Sequence, residues 1–455
     1  MSGSRLRAVA VLVAFASASA AYADGVADLP GVKDPNWKPD AAILAKREAF
    51  ADKKFGIFIH FGLFSMYAQD CWYLQSFVGR EADYARGMHA FYPSKFNAKE
   101  WVRVIKASGA KYCNLTARHH DGFSMWPTKV DDGYNVANTP FKRDIVGELA
   151  KACEEEGIEL HLYYSLMDWH RKDYPTGTSK RIRETIPDRR EDYDSYYKFM
   201  VGQLNELLDW YKPGCIWFDA EGDHSPRNPK THKREPNLDY RFDEMYDLIH
   251  AKGAMVINNI GQEPRPKEDA HCYECNVAGT KKRYFKMATD RPVEHCDQIQ
   301  KNAWGYNLNE KTYRTPEDVV KMLAMDANVG ANLLLNVGPY PDGSFPPDAV
   351  ETLLKVGEWL EKYGESIYGT RRSEVRDGFD VVGTKKGDKT TYLHFLNPET
   401  TRFTFEPEGE IASVTYVGSG APVRVESTSG GDETIIQIER AGRGVIDVPV
   451  KVVYK

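Results

Sequence analysis

Short apolar runs and amphipathic stretches alternate through the middle of the chain. Phe55–Phe61 (FGIFIHF), Lys111–Arg118 (KYCNLTAR), Glu159–Ser165 (ELHLYYS), Cys215–Asp219 (CIWFD), Met255–Ile260 (MVINNI) and Asn332–Val337 (NLLLNV) read as strands. Between them, apolar positions recur at helical spacing over Ala98–Ser108, Ile145–Glu156, Tyr193–Tyr211, Arg241–Ala251, Pro316–Asn328 and Asp348–Tyr363. Strands that are apolar throughout, separated by helices, belong to a parallel sheet covered on both faces. About 300 residues of this texture predict an α/β fold, a (β/α)8-like barrel. A doubly wound sheet is the alternative, disfavoured because no Gly-rich phosphate turn follows the first strand.

The texture changes after Gly369. TTYLHFL, SVTYV, ETIIQI and IDVPVKVVYK are alternating or β-branched runs separated by Gly, Pro, Asp and Asn. They predict a C-terminal antiparallel β-sandwich over 369–455, behind a barrel over 24–368. The first 23 residues have a different pattern again. Arg5 and Arg7 precede an apolar run that ends in Ala21-Tyr22-Ala23. That run is too short to span a bilayer and matches a cleavable leader, so the expectation is a secreted or periplasmic protein cut near Ala23, with no membrane span.

Composition changes this picture little. The 455 residues carry 60 basic and 66 acidic side chains, well mixed, for a net charge of −6. No basic face marks a nucleic-acid partner. Seven cysteines are few and odd in number for a disulfide scaffold, and Cys272-x-x-Cys275 has no second pair to complete a zinc site. Structural or unpaired thiols are expected.

The candidate chemistry lies at the strand ends, where a parallel barrel carries its active site. The first strand ends at His60, and the second runs into His119-His120-Asp121. The third ends at Tyr163-Tyr164-Ser165 with Asp168 and Trp169 behind, the fourth at Trp217-Phe218-Asp219, the fifth at Asn258-Asn259. Glu274 lies near a sixth, and Asn336 ends a late one. A lone His or Asp at a strand end is usually structural. Their recurrence at one end of successive strands predicts one polar pocket instead. Adjacent His119 and His120 lack the spacing of a metal pair.

These residues carry a resemblance. FGIFIHFGLFS, ARHHDGFSMWPTK, YYSLMDWH, IWFDAEG, NAWGYN and NLLLNVGP resemble, in order, the signatures of glycoside hydrolase family 29, the α-L-fucosidases. The resemblance implies retaining hydrolysis of terminal α-linked L-fucose from a fucosylated glycan or fucoside, with no metal or other cofactor. It makes Asp219 the nucleophile. It assigns His60, His119, His120 and Tyr164 to sugar hydroxyls or to the nucleophile, and Trp72 and Trp217 to the pocket wall. Two glutamates compete for the acid/base role: Glu274, 55 residues after Asp219, and Glu294 in RPVEHC. Glu274 is the choice and Glu294 the second; Glu221 and Asp223, just behind the nucleophile, rank lower. The chain departs from the family in Cys71-Trp72, where Glu-Trp is common, and in Asn258-Asn259-Ile260, where Asn-Asp-Arg is common. A non-catalytic fucose-binding protein on the same scaffold is the alternative reading.

Overall fold

The computed structural model describes residues 33–77, 80–130, 133–175, 189–220, 238–259, 264–274, 290–427, 433–439 and 446–455. The leader segment 1–23, Glu221, Asp223 and Cys275 lie outside the described residues.

Eight parallel strands close into a barrel in sequence order: β1 (Phe55–Ile59), β2 (Tyr112–Arg118), β3 (Glu159–Ser165), β4 (Cys215–Asp219), β5 (Met255–Asn259), β6 (Ala270–Glu274), β7 (Val293–Gln298) and β8 (Ala331–Val337). Pairing of β8 with β1, through Asn336 opposite Phe58, closes the ring. Outward side chains such as Leu115, Leu162 and Leu335 join the large core shared with the surrounding helices. Inward ones, including Phe58, Tyr112, Tyr163, Trp217 and Leu334, fill the barrel itself. Burial on both faces explains why these strands read as continuous apolar runs.

Among the described residues, seven longer helices surround the barrel: α1 (Ala41–Lys53), α2 (Ala98–Ala107), α3 (Ile145–Glu156), α4 (Tyr193–Tyr211), α5 (Phe242–Ala251), α6 (Pro316–Asn328) and α7 (Pro347–Tyr363). Local signals set their ends. Asp144 Oδ1 accepts from Gly147 N at 2.8 Å to start α3, and Gly157 stops it at φ 70°. Thr315 and Asp318 form a reciprocal capping box at α6, with Pro316 in the first turn.

The strand β7 was not legible as an apolar run. Its residues are all buried, yet four of the six are polar. Glu294, His295 and Asp297 each find a side-chain partner. His295 Nδ1 meets Asp326 of α6 at 2.8 Å, and Asp297 accepts from Arg314 at 2.9 Å. Buried polar groups with satisfied bonds replace hydrophobic burial there.

Two antiparallel sheets follow. One has the order β13–β16–β11–β10–β9 and the other β12–β15–β14, where β9 is Arg376–Asp377, β10 Val381–Lys385, β11 Thr390–Phe395, β12 Arg402–Phe405, β13 Ile411–Tyr416, β14 Arg424–Ser427, β15 Thr434–Gln437 and β16 Val450–Tyr454. Leu393 and Val452 from one sheet share a core with Phe403 and Ile436 from the other, as in a sandwich. The sheets are bonded to the barrel helices. Asn328 of α6 donates to Gly383 O at 2.8 Å, and Trp359 of α7 donates to Asp447 O at 2.9 Å. Among the described residues, no helix is long and apolar enough to cross a membrane, and no cysteine is in a disulfide.

Candidate active site

The C-terminal ends of the barrel strands open into a cavity of ≈ 360 Å³, lined by His60, Trp72, His119, His120, Trp217, Asp219 and Glu274 together with Phe58, Cys71, Tyr163, Trp169, Asn259 and Trp304. Its size is that of a small-molecule site. Seven of the residues expected from sequence converge there. Tyr164 and Glu294 do not.

Strand parity explains the first exception. In the parallel register Tyr163 pairs with Trp217 and Ser165 with Asp219, so these four share the inner face. Tyr164 pairs with Phe218 and points outward, where its hydroxyl donates to Gln203 of α4 at 2.8 Å. The pocket tyrosine is Tyr163, whose hydroxyl donates to Asp219 Oδ2 at 2.9 Å. The alternation Leu160, Leu162, Tyr164 carried this signal in the sequence.

Glu294 does face inward, but one layer deeper, and it is wholly buried. Its oxygens accept from Trp217 Nε1 at 2.8 Å and Tyr112 Oη at 2.7 Å. Burial raises its pKa, with the two donors opposing. It does not line the cavity.

Asp219 ends β4, and the next residue, Ala220, takes a left-handed φ of 72°. That turn aims Ala220 N at Asp219 Oδ1, 2.7 Å away. The amide of Asn259, at the end of β5, reaches Asp219 Oδ1 at 3.3 Å and Glu274 Oε2 at 2.9 Å. An amide nitrogen has two hydrogens, one for each carboxylate. A shared donor keeps the two oxygens within about 6 Å. Burial, then the charge of Glu274, pushes the Asp219 pKa up to about 7, against the pull of Tyr163, Ala220 and Asn259.

The imidazoles are held neutral and directional. Asn336 spends its amide N–H on Trp304 O at 2.6 Å, so its Oδ1 faces His60 Nδ1, also at 2.6 Å. Nδ1 of His60 therefore donates, and Nε2 keeps a lone pair. Ser165 donates to Met167 O at 2.7 Å and must accept from His120 Nδ1, 2.7 Å away. His120 Nε2, 3.8 Å from Asp219 Oδ2, is then also an acceptor. Burial lowers the pKa of His60 and of His120 to about 3, and lowers that of His119 as well. His119 and His120 both reach the pocket because the register shifts after Thr116, next to the end of β2.

Aromatic rings complete the walls. Trp72 lies edge-on to Trp169 and His120, with centroids 5.2 and 5.1 Å apart. Trp304 sits 5.2 Å from His60, on a loop pinned by Asp70, whose Oδ1 accepts from Trp304 N at 3.1 Å and Gly305 N at 2.8 Å. The Trp169 indole N–H and His119 Nδ1 have no protein partner. The sequence places Tyr163, Trp169 and Asn259 at the strand ends of the expected pocket without giving them a role there, and Trp304 stands in it only as part of NAWGYN.

Known proteins similar to this chain are α-L-fucosidases. A family profile described as alpha-L-fucosidase matches residues 27–365. Tissue alpha-L-fucosidase of Macaca fascicularis is 30% identical over 375 residues, covering 76% of this chain and 75% of that one. The solved alpha-L-fucosidase isoenzyme 1 of Paenibacillus thiaminolyticus superimposes with a TM-score of 0.79 at 27% identity, covering 91% of this chain and all (100%) of that one. A Bacteroides thetaiotaomicron alpha-L-fucosidase, GH29, trapped as a covalent intermediate with 2-fluoro-fucosyl fluoride, has a TM-score of 0.75 at 25% identity, with coverages of 91% and 96%. With the family profile spanning most of the chain over a closed barrel that gathers two carboxylates, three imidazoles and a ring of indoles, the chain belongs to the α-L-fucosidases, glycoside hydrolase family 29.

Proposed function

We propose that this chain removes terminal α-linked L-fucose from a fucosylated glycan by double displacement, with Asp219 as nucleophile and Glu274 as acid/base. The observation that carries the reading is the Asn259 amide between the two carboxylates, which keeps the bridged oxygens within about 6 Å. Retaining glycosidases separate their carboxyl groups by roughly 5 to 5.5 Å, whereas inverting ones need about 6.5 Å or more to admit water.

In the first step Asp219 attacks the anomeric carbon, the glycosidic C–O bond breaks, and Glu274 gives its proton to the leaving oxygen. A fucosyl ester of Asp219 results. In the second step Glu274 takes a proton from water, the water oxygen attacks the same carbon, and Asp219 leaves as carboxylate. Positive charge develops on the sugar ring in both transition states, so neutral imidazoles serve better than charged ones. The free Nε2 lone pairs of His60 and His120 accept hydrogen bonds from sugar hydroxyls and read their arrangement. Trp217, Trp304 and Trp72 supply apolar faces for sugar C–H groups and for the methyl group on C5.

The leader-like segment 1–23 supports export, and an amino terminus near Asp24 in the mature protein is the expected result of sequencing it. The activity is tested by following hydrolysis of an aryl α-L-fucoside by proton NMR. α-L-Fucose appears first if the reading is correct. First release of the β-anomer overturns the mechanism, and absence of turnover on any fucoside identifies a binding protein instead.

A further inference from the structure

We infer that Glu294, although outside the cavity, is a positioning residue for fucose binding: it fixes the plane of Trp217, the indole that forms the wall beside Asp219. This rests on the fucosidase reading above and extends it to a residue with no role there.

Trp217 and Asp219 are two positions apart on β4 and share its inner face. Trp217 is 1% exposed and lines the cavity. Its single donor, Nε1–H, points down the barrel to Glu294 Oε1 at 2.8 Å. The ring stacks on Tyr163, centroid to centroid 5.5 Å at 26°, and meets Phe58 edge-on at 5.2 Å. Tyr163 in turn donates to Asp219 Oδ2 at 2.9 Å. Stacking alone lets an indole slide or flip within its plane, whereas one buried hydrogen bond selects a single orientation. The second oxygen of Glu294 accepts from Tyr112, which anchors the carboxylate to β2 at 2.7 Å. A carboxylate only accepts, so both donors are satisfied without ambiguity.

The alternative for such a residue is a tie between strands, with effects on stability alone. Two substitutions separate the roles. Glu294→Ala removes the acceptor of Trp217, whereas Tyr112→Phe removes only the other bond and leaves Trp217 held. Both variants are expected to melt at lower temperature. Only Glu294→Ala is expected to weaken inhibition by free fucose and raise KM, each by about 10-fold, the scale of one orphaned buried donor. The loss has the same factor for aryl and natural fucosides, since no proton transfer is involved. Glu294→Gln, which keeps an acceptor toward the indole, restores fucose affinity to within about 3-fold of wild type. If Glu294→Ala does not fold, Glu294→Met fills the same space without an acceptor and carries the same expectation.

Unchanged fucose affinity in the folded Ala or Met variant overturns the inference while leaving the fucosidase reading intact. Loss confined to substrates with poor leaving groups makes Glu294 the proton donor and overturns both. Equal loss of fucose affinity in Tyr112→Phe reduces Glu294 to a strand tie and overturns the inference alone.

Discussion

Tyr163 donates its phenolic hydrogen to Asp219 Oδ2 across 2.9 Å, from the neighbouring strand and the same inner face. The bond orients the carboxylate and favours its charged form against burial. Removing it with Tyr163→Phe should lower kcat/KM at neutral pH by about 10-fold, the scale of one hydrogen bond to a charged group. The acidic limb of the pH profile should also move to higher pH. A profile of unchanged position would show that the phenol does not tune Asp219.

The nucleophile sets a pH dependence of its own. With Asp219 pushed up to about 7, kcat/KM should fall below that pH by about ten-fold per unit, because attack needs the carboxylate. Stability runs the opposite way. The folded carboxyl holds its proton up to about 7, whereas the unfolded one releases it near the ordinary aspartate value of 3.8. The folded state therefore binds more protons between those values, and stability falls as pH rises through the window. Asp219→Asn removes this burden, so its gain in melting temperature over wild type should be larger at pH 8 than at pH 4. Thermal melts at both values check the sign.

Proton donation separates by leaving group. Glu274→Ala should reduce kcat on a natural fucosyl disaccharide by about 10²- to 10⁴-fold, the usual worth of general acid catalysis. Substrates with activated aryl leaving groups should lose far less in the first step. Parallel kinetics on the two substrates give the answer, and equal losses would remove Glu274 from the role.

A wall of the pocket depends on a glycine. A Cβ on Gly338, just past β8, would stand 2.4 Å from Tyr306 N and 2.8 Å from the Gly305 carbonyl carbon. Backbone cannot yield as a flexible side chain does, so Gly338→Ala should push the 304–306 loop and carry Trp304 away from His60. KM should rise by about 10-fold, with kcat for an activated substrate less affected. Steady-state kinetics on that variant decide the point.

Much of this is legible in the sequence. Hydrophobic runs with helices between them announced a parallel barrel because strands buried on both faces leave that trace. Asp219, Glu274 and the three histidines were found because a barrel gathers its strand ends. What failed was parity and depth. The family resemblance points to Tyr164 rather than Tyr163, although inward and outward positions alternate and Leu160 and Leu162 already mark the outer set. Glu294 competed with Glu274 because sequence distance does not tell a pocket rim from a barrel floor. The strand β7 escaped notice since its burial is paid in hydrogen bonds, with His295 to Asp326 and Glu294 to Trp217. Asn259 was named only as a strand-end residue, and its bridging role emerged only from the two distances.

The central claim is that Asp219 forms the bond to the sugar. Incubation with 2-fluoro-fucosyl fluoride slows both steps while its fluoride departs readily, so the ester accumulates. Tandem mass spectrometry of the digested protein should find one added fluoro-fucosyl group, on Asp219 in the segment IWFDAEGD. A label on any other residue, or an unmodified protein that still turns the reagent over, would contradict the account.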